Sequence, residues 1–279
     1  MKLVGTVKQL QEELGKQGSK AGIGFVPTMG ALHEGHLSLV KRAVAENQAV
    51  VVSIFVNPTQ FNDPKDLERY PRTLEADLAL LKHTGCKFVF APSVNEVYPE
   101  EDTRKFNFGK LEKVMEGKFR PGHFNGVAQV VSRLFDMVKP DKAYFGLKDF
   151  QQLAIIKNMV KQLDLPVEIV PCEIVREKSG LAMSSRNELL SPEQRENAVL
   201  ISKTLFRAKE LITEKNVNDL RNWVVGEINK NPYLDVEYFE IVDDEQLQTV
   251  TDWNEKNTKV GCIAVFCGKI RLIDNIVFN

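Results

Sequence analysis

Ile23-Gly24-Phe25-Val26-Pro27-Thr28-Met29-Gly30-Ala31-Leu32-His33-Glu34-Gly35-His36 holds a strand, a turn and a helix start in fourteen residues. Its first four residues form an apolar run with the length of a short buried strand. Beyond it, Leu37, Val40, Ala43 and Val44 recur at the spacing of one helix face. A strand therefore ends, a glycine-containing turn follows and a helix begins. His33 and His36 stand three residues apart at the helix start, hence on one face. A helix N-terminus carries unpaired N–H groups and partial positive charge, which suit a phosphate. Spacing alone leaves phosphate binding, metal ligation and a structural role open. The zinc-protease pattern requires two residues between Glu and the second His, and here there is one. No cysteine lies nearby to complete a structural zinc site.

Outward from this stretch, strands and helices alternate. Residues 7–17 read as a helix with Val7, Leu10 and Leu14 on one face, and 22–26 as the strand already described. Val50 to Val56 is a continuous β-branched run, the pattern of a strand covered on both faces, and Pro58 ends it. A helix through Leu74, Leu78 and Leu81 leads to a strand at Phe88-Val89-Phe90. Residues 92–122 are charged and punctuated by Pro and Gly, which predicts a flap or short edge strands. A helix through Val127, Val130, Val131, Leu134, Phe135 and Val138 follows, then a strand at 143–145 with its exit turn at 146–149. The next helix is expected to bury Leu153, Ile156, Val160 and Leu163, and a last strand runs from Pro166 to Val170. The alternation predicts an α/β fold, a Rossmann-like doubly wound parallel sheet over residues 1–175.

From residue 176 the pattern changes. Ser191-Pro192-Glu193-Gln194 combines a capping box with proline at the first helical position. Ala198, Ile201, Leu205, Ala208 and Ile212 line one helix, a second spans 217–229, and strand-like runs follow at 235–242, 260–266 and 270–273. Helices followed by strands predict a smaller α+β C-terminal domain over 176–279.

The 279 residues carry a formal net charge of −1, with no long run of Lys or Arg. That disfavours nucleic acid as principal partner, since binding a phosphate backbone needs clustered positive charge. Residues 1–5 show no apolar signal core and no long uncharged apolar span occurs, so a cytoplasmic protein without membrane contact is expected. Cys86, Cys172, Cys262 and Cys267 form no C-x-x-C pair and sit in or near apolar runs, as reduced core thiols do.

Four polar clusters fall at turns: Met29 to His36, Asn57 to Phe61, Gly146 to Gln152, and Met183 to Asn187. The first three are expected at strand carboxyl ends, where open α/β sheets bind ligands. Singly, each has a plain structural use as turn, cap or solvated loop. No P-loop is present, Gly22-Ile23-Gly24 enters a strand instead of following one, and there is no G-x-S-x-G nucleophile elbow.

The His33-x-Gly35-His36 element together with Met183-Ser184-Ser185-Arg186 resembles the nucleotidyltransferase superfamily that includes class I aminoacyl-tRNA synthetases. Within it, the chain most resembles the pantothenate synthetase (pantoate–β-alanine ligase) family. The resemblance covers nearly the whole chain, in blocks at 27–36, 55–61, 120–124, 148–153 and 180–187. It departs at Leu147, where the family usually carries Glu. The resemblance implies that ATP adenylates the pantoate carboxylate and that β-alanine then attacks the acyl adenylate, giving pantothenate and AMP. It implies catalytic roles for His33, His36, Lys148, Ser184, Ser185 and Arg186, stabilising charge on the phosphates with Mg²⁺. Around ATP it implies Met29, Gly30, Ala31, Leu32, His33, Glu34, Gly35 and His36. Gly146, Leu147, Lys148, Asp149, Val175, Met183, Ser184, Ser185 and Arg186 complete that set. For pantoate and β-alanine it implies Gln60, Gln152, Asn57, Phe61, Val130 and Val131. Arg120 and His123 are expected in a flap or a structural turn. No protein metal ligand is expected, Mg²⁺ being held mainly by the ATP phosphates; a homodimer and a C-terminal domain acting as lid are implied. A nucleotidyltransferase of other specificity and a non-catalytic nucleotide sensor are the rival readings.

Overall fold

Val50, Val51 and Val52 are at most 2% exposed, as a strand sandwiched between helix layers must be. They belong to the central sheet of the computed structural model, which describes residues 1–18, 22–61 and 64–278. Its strands are β1 (Lys2–Val4), β2 (Ile23–Thr28), β3 (Ala49–Ile54), β4 (Phe88–Phe90), β5 (Lys142–Gly146) and β6 (Glu168–Cys172). They pair in the order β1-β4-β3-β2-β5-β6, and every pair is parallel. From β2 the chain winds outward through β3 and β4, then returns to lay β5 and β6 on the other side. The carboxyl ends of β2 and β5 therefore flank the point where the winding reverses, the place such sheets offer to ligands.

Strand β2 runs two residues further than the apolar pattern indicated, through Pro27. The Gly22 carbonyl accepts from Ala49 N and the Thr28 carbonyl from Phe55 N. Even-numbered residues therefore face β3, and Pro27 faces the β5 side. There pairing stops at Phe25 opposite Ala143, so the missing N–H of Pro27 breaks no ladder bond. Strand β1, three residues at the sheet edge, is too short to show a period and was not legible in the sequence.

The helix Glu34–Glu46 buries Leu37, Val40 and Ala43, the face expected from spacing. The helix Phe150–Gln162 differs from expectation. It buries Leu153, Ile155, Ile156 and Met159, while Leu163 is 39% exposed. The helix stops one residue before Leu163, and Met159 takes the inward place assigned to Val160. The stretch 92–122 contains no strand: it forms a helix at Val94–Val97, a 3-10 turn at Gly109–Glu112 and a helix at Met115–Phe119.

Contacts group the chain into two compact units. The first comprises Met1–Phe108, Arg120–Leu147 and Gln152–Glu173; the second comprises Gly109–Phe119, Lys148–Gln151 and Ile174–Asn279. The second unit packs the helices Pro192–Glu210 and Val217–Asn229 with an antiparallel sheet of β7 (Leu234–Asp243), β8 (Lys259–Cys267) and β9 (Ile270–Phe278), in that order. The capping box at Ser191 and Gln194 is formed as expected. Strand β9 extends beyond residue 273 through two buried polar residues, Asp274 and Asn275. Gly109–Phe119 is tied to this sheet by Arg271, whose guanidinium binds Glu116 at 2.6 and 2.9 Å and also Glu237. Tyr238 donates to Glu116 as well. All four cysteines are buried free thiols, and burial pushes the Cys86 thiol up to about 11. Among the described residues no helix is long and apolar enough to cross a membrane.

Candidate active site

At the end of β2 the backbone turns through two left-handed residues, Gly30 (φ 85°) and Ala31 (φ 49°). Glycine adopts this region freely, whereas alanine does so only where its surroundings impose it. Asp77, 1% exposed, imposes it here: its carboxylate accepts from Ala31 N at 3.1 Å and Leu32 N at 2.8 Å. Thr28 adds a second brace, its hydroxyl donating to the Ser53 carbonyl and accepting from Gly30 N. Leu32, expected around ATP, has its side chain in the core and its N–H on Asp77.

His33 then caps the helix Glu34–Glu46. Its Nδ1 accepts from Gly35 N at 3.1 Å, while His36 Nδ1 accepts from His33 N at 3.3 Å. This is a capping box in which two imidazoles replace the usual hydroxyl and carboxylate. A ring nitrogen facing an N–H must be the unprotonated one, so both rings are neutral with the proton on Nε2. The ring centroids lie 4.1 Å apart. Met29, Ala31, His33, Gly35 and His36 are half-buried and Glu34 is exposed.

The turn Pro58–Gln60 beyond β3 is capped by Asn57, 1% exposed. The Asn57 Oδ1 accepts from Thr59 N, Thr59 Oγ1 and the Tyr98 hydroxyl; its Nδ2 donates to the Gly126 carbonyl and to Gln60 Oε1. Gln60 Nε2 in turn donates to Met29 Sδ at 3.1 Å. The structure thus joins Met29, Asn57 and Gln60 in one chain of contacts. Phe61 meets Tyr70 edge-on at 5.6 Å. Val130 and Val131 are buried on the helix His123–Val138, and Gln152 is half-buried on the helix Phe150–Gln162. His123 is no flap residue: it opens its helix, 6% exposed, and its Nδ1 donates to the Gln60 carbonyl at 2.9 Å. Gly126, one turn on, sits against the backbone of Thr59 and Gln60.

In the second unit, Lys148 and Asp149 lie in the 3-10 turn Leu147–Asp149 that follows β5 and Gly146. The Lys148 carbonyl accepts from Asn275 Nδ2 at 3.0 Å. Burial lowers the pKa of the Lys148 ammonium; Asp149 and Asp274 oppose the fall and Arg186 adds to it. Met183 N donates to the Val175 carbonyl, and Arg176 pairs with Ala182 in a short bridge. Ser184 caps the 3-10 turn Ser185–Leu189, its Oγ accepting from Arg186 N. Arg176 holds Asp274 in a two-pronged pair at 2.6 and 2.9 Å.

Asp77, Gly126, Arg176, Asp274 and Asn275 were missed by sequence reasoning. Asp77 left one trace, a carboxylate four residues from Leu81, on the face that Leu81 buries. The strand-like run ends at residue 273 because Asp274 and Asn275 are polar, and their partners are remote in sequence. A cavity of about 420 Å³ between Ile212, Trp253, Lys259 and Phe278 contains none of the predicted site residues.

A family model described as pantoate-beta-alanine ligase matches residues 2–277. The chain is 60% identical over 281 residues to the pantothenate synthetase of Phocaeicola vulgatus, covering 100% of both chains. It is 58% identical over 282 residues to that of Bacteroides thetaiotaomicron, covering 100% of this chain and 99% of the relative. The crystal structure of pantothenate synthetase from Thermus thermophilus matches with a TM-score of 0.92 at 45% identity, over 99% of each chain. The pantoate-beta-alanine ligase of Francisella tularensis, solved with beta-gamma ATP and beta-alanine, matches with a TM-score of 0.83 at 36% identity, over 99% of this chain and 97% of that one. A switch point flanked by the paired imidazoles, a full-length family match and relatives more than half identical lead to one assignment: the chain belongs to the pantoate–beta-alanine ligase family.

Proposed function

We propose that this chain joins pantoate to β-alanine in two steps, with ATP as the activating substrate. In the first, a pantoate carboxylate oxygen attacks the α-phosphorus of ATP, the bond to the bridging oxygen breaks, and pyrophosphate leaves. In the second, the β-alanine amine attacks the acyl carbon of pantoyl-adenylate; the amide forms, AMP departs and the amine loses a proton. The observation that carries this reading is the reciprocal cap of His33 and His36. It leaves both rings with the proton on Nε2, as donors to an anion at the N-terminus of a 13-residue helix. The ATP and β-alanine complex of the Francisella relative supports both ligands for this chain.

The roles follow from chemistry. Negative charge grows on the transferred phosphorus and the leaving group, and fixed donors lower that barrier. His33, His36, Lys148, Ser184, Ser185 and Arg186 are assigned to this task. Met29, Gly30, Ala31, Glu34, Gly35, Gly146, Leu147, Asp149, Val175 and Met183 are assigned to the nucleotide, and Leu32, with its side chain in the core and its N–H on Asp77, is not. Gln60 and Gln152 are assigned to the hydroxyl and carboxylate of pantoate, and Phe61, Val130 and Val131 to its methyl groups. Asn57, its amide committed to neighbours, acts by holding Gln60. No side chain need become covalently bound, because the adenylate is itself the activated species, and excluding water protects it.

Mg²⁺ on the ATP phosphates supplies further charge neutralisation. Mg²⁺ commonly keeps several waters and uses substrate phosphates as ligands, and the donors assigned here, imidazole N–H, ammonium and hydroxyl, address phosphate oxygens. In this reading the enzyme works as a cytoplasmic homodimer. The test is AMP release from purified protein with ATP, Mg²⁺, pantoate and β-alanine. AMP should form with all four and stop on omission of any one. ATP binding without AMP production from the full mixture would favour a nucleotide sensor.

A further inference from the structure

We infer that Asp77 is a positioning residue for the His33–His36 pair, acting through the left-handed turn that leads into it. The inference rests on the reading of those imidazoles as ATP-phosphate ligands. Asp77 lies on the helix Leu74–Leu81 and is 1% exposed. A buried carboxylate is retained only where donors surround it. Its donors are two successive backbone N–H groups, Ala31 N on Oδ2 and Leu32 N on Oδ1, with the Thr73 hydroxyl at 3.4 Å as a third. Among the described residues no cation pairs with it. Its charge is therefore directed at the turn.

The turn needs such a partner. Gly30 and Ala31 are consecutive left-handed residues, and a non-glycine residue holds that conformation only where its surroundings over-determine it. Two adjacent N–H groups brought to one side form an anion seat, and the anion occupying it is Asp77 itself. The amides of Ala31 and Leu32 are thus committed internally, and donation to phosphate falls to the imidazoles and the helix start. Fit is close on the other side too: a Cβ at Gly30 would lie 3.0 Å from Asp77 Oδ2. One peptide beyond Leu32, His33 N is the donor received by His36 Nδ1. A change in how Asp77 grips Ala31 and Leu32 therefore passes directly into the reciprocal cap and reorients both rings.

The experiment uses Asp77→Asn in the full chain. One oxygen still accepts, but the amide group opposes the second N–H, so the grip fails at one point with little change in volume. The chain has four histidines, so ¹⁵N-imidazole spectra are tractable. In the wild type, His33 and His36 should show Nε2–H signals with an accepting Nδ1, and His123, whose Nδ1 donates to Gln60 O, the opposite tautomer. In Asp77→Asn the His33 and His36 signals should shift while His123 stays. Pantoate-dependent pyrophosphate–ATP exchange should lose about 10- to 100-fold in kcat, the scale of an ångström-size misplacement, with KM for pantoate unchanged. Should the asparagine variant not fold, Asp77→Ser, smaller and still an acceptor, is expected to show the same two changes. A folded variant with wild-type imidazole signals and wild-type kcat overturns the inference, as does a lowered melting temperature with both readouts unmoved. His33→Ala and His36→Ala separate the two levels. If they leave exchange unchanged, the reading of the imidazoles falls; if they slow it and Asp77→Asn does not, only the role of Asp77 falls.

Discussion

Replacing Gly126 by alanine should damage pantoate use from a distance. The added Cβ would lie 2.4 Å from the Thr59 carbonyl oxygen, 2.8 Å from its carbon and 2.9 Å from Gln60 Cα. Ordinary contact begins at 3.4 Å, so helix and turn must separate by about 1 Å, and overpacking on this scale costs about 1–3 kcal/mol. The helix His123–Val138 buries twelve residues, whereas the turn Pro58–Gln60 buries none, so the turn is the side that yields. It is also pinned where the strain falls, by Asn57 Nδ2 on the Gly126 carbonyl and by His123 on the Gln60 carbonyl. Moving Gln60 by about 1 Å predicts a loss near 10²-fold in kcat/KM for pantoate. Adenylation, followed by pyrophosphate–ATP exchange at varied pantoate and then varied ATP, is the assay. KM for ATP should stay within about twofold, and the melting temperature should fall by about 2–12 °C. A Gly126→Ala enzyme with wild-type kcat/KM for pantoate would refute both the contact and the placing of Gln60 on pantoate.

Four further outcomes are expected. His36→Ala and Lys148→Ala should each slow pantoyl-adenylate formation by about 10²–10³-fold, the usual effect of losing one fixed donor, as measured by single-turnover quench. Because burial lowers the Lys148 pKa, kcat/KM for ATP should decline on the alkaline side below the ordinary lysine range, and Lys148→Arg should lose that limb. Between the lowered folded pKa and the unfolded one the unfolded chain binds more protons, so the Lys148 contribution to stability rises with pH in that window; denaturant midpoints of wild type and Lys148→Met across it check the sign. Asp274→Asn breaks a pair whose carboxylate is 3% exposed and leaves Arg176 uncompensated. It should cost about 3 kcal/mol, the lower end for a buried pair because Arg176 keeps some solvent, read by urea denaturation of the full chain.

What was legible in the sequence was local and periodic. The run at Val50–Val52, the face Leu37–Val40–Ala43 and the cap at Ser191–Gln194 depend on side-chain class at short spacing, and each formed where its pattern stood. The two histidines were visible because their helix start is encoded within a dozen residues. The errors lie where period is absent or competes. Strand β1 is three residues long, Pro27 reads as a break although it faces the open side of β2, and the polar residues Asp274 and Asn275 masked the second half of β9.

By itself, then, the order of residues determined the long helices and most of the long strands, that the strands of the first sheet are covered and parallel, and that a donor-rich turn closes the first of the long ones. Only the tertiary structure decided what holds that turn and its neighbours in place. Asp77 meets Ala31 and Leu32 across some 45 positions, Gly126 supports Gln60 across more than 60, and Asn275 holds the Lys148 carbonyl across 127. The physical reason is that burial and period are set by a residue and its near neighbours. Which particular N–H or carbonyl a buried polar group will satisfy is set only when packing brings remote backbone within hydrogen-bond reach.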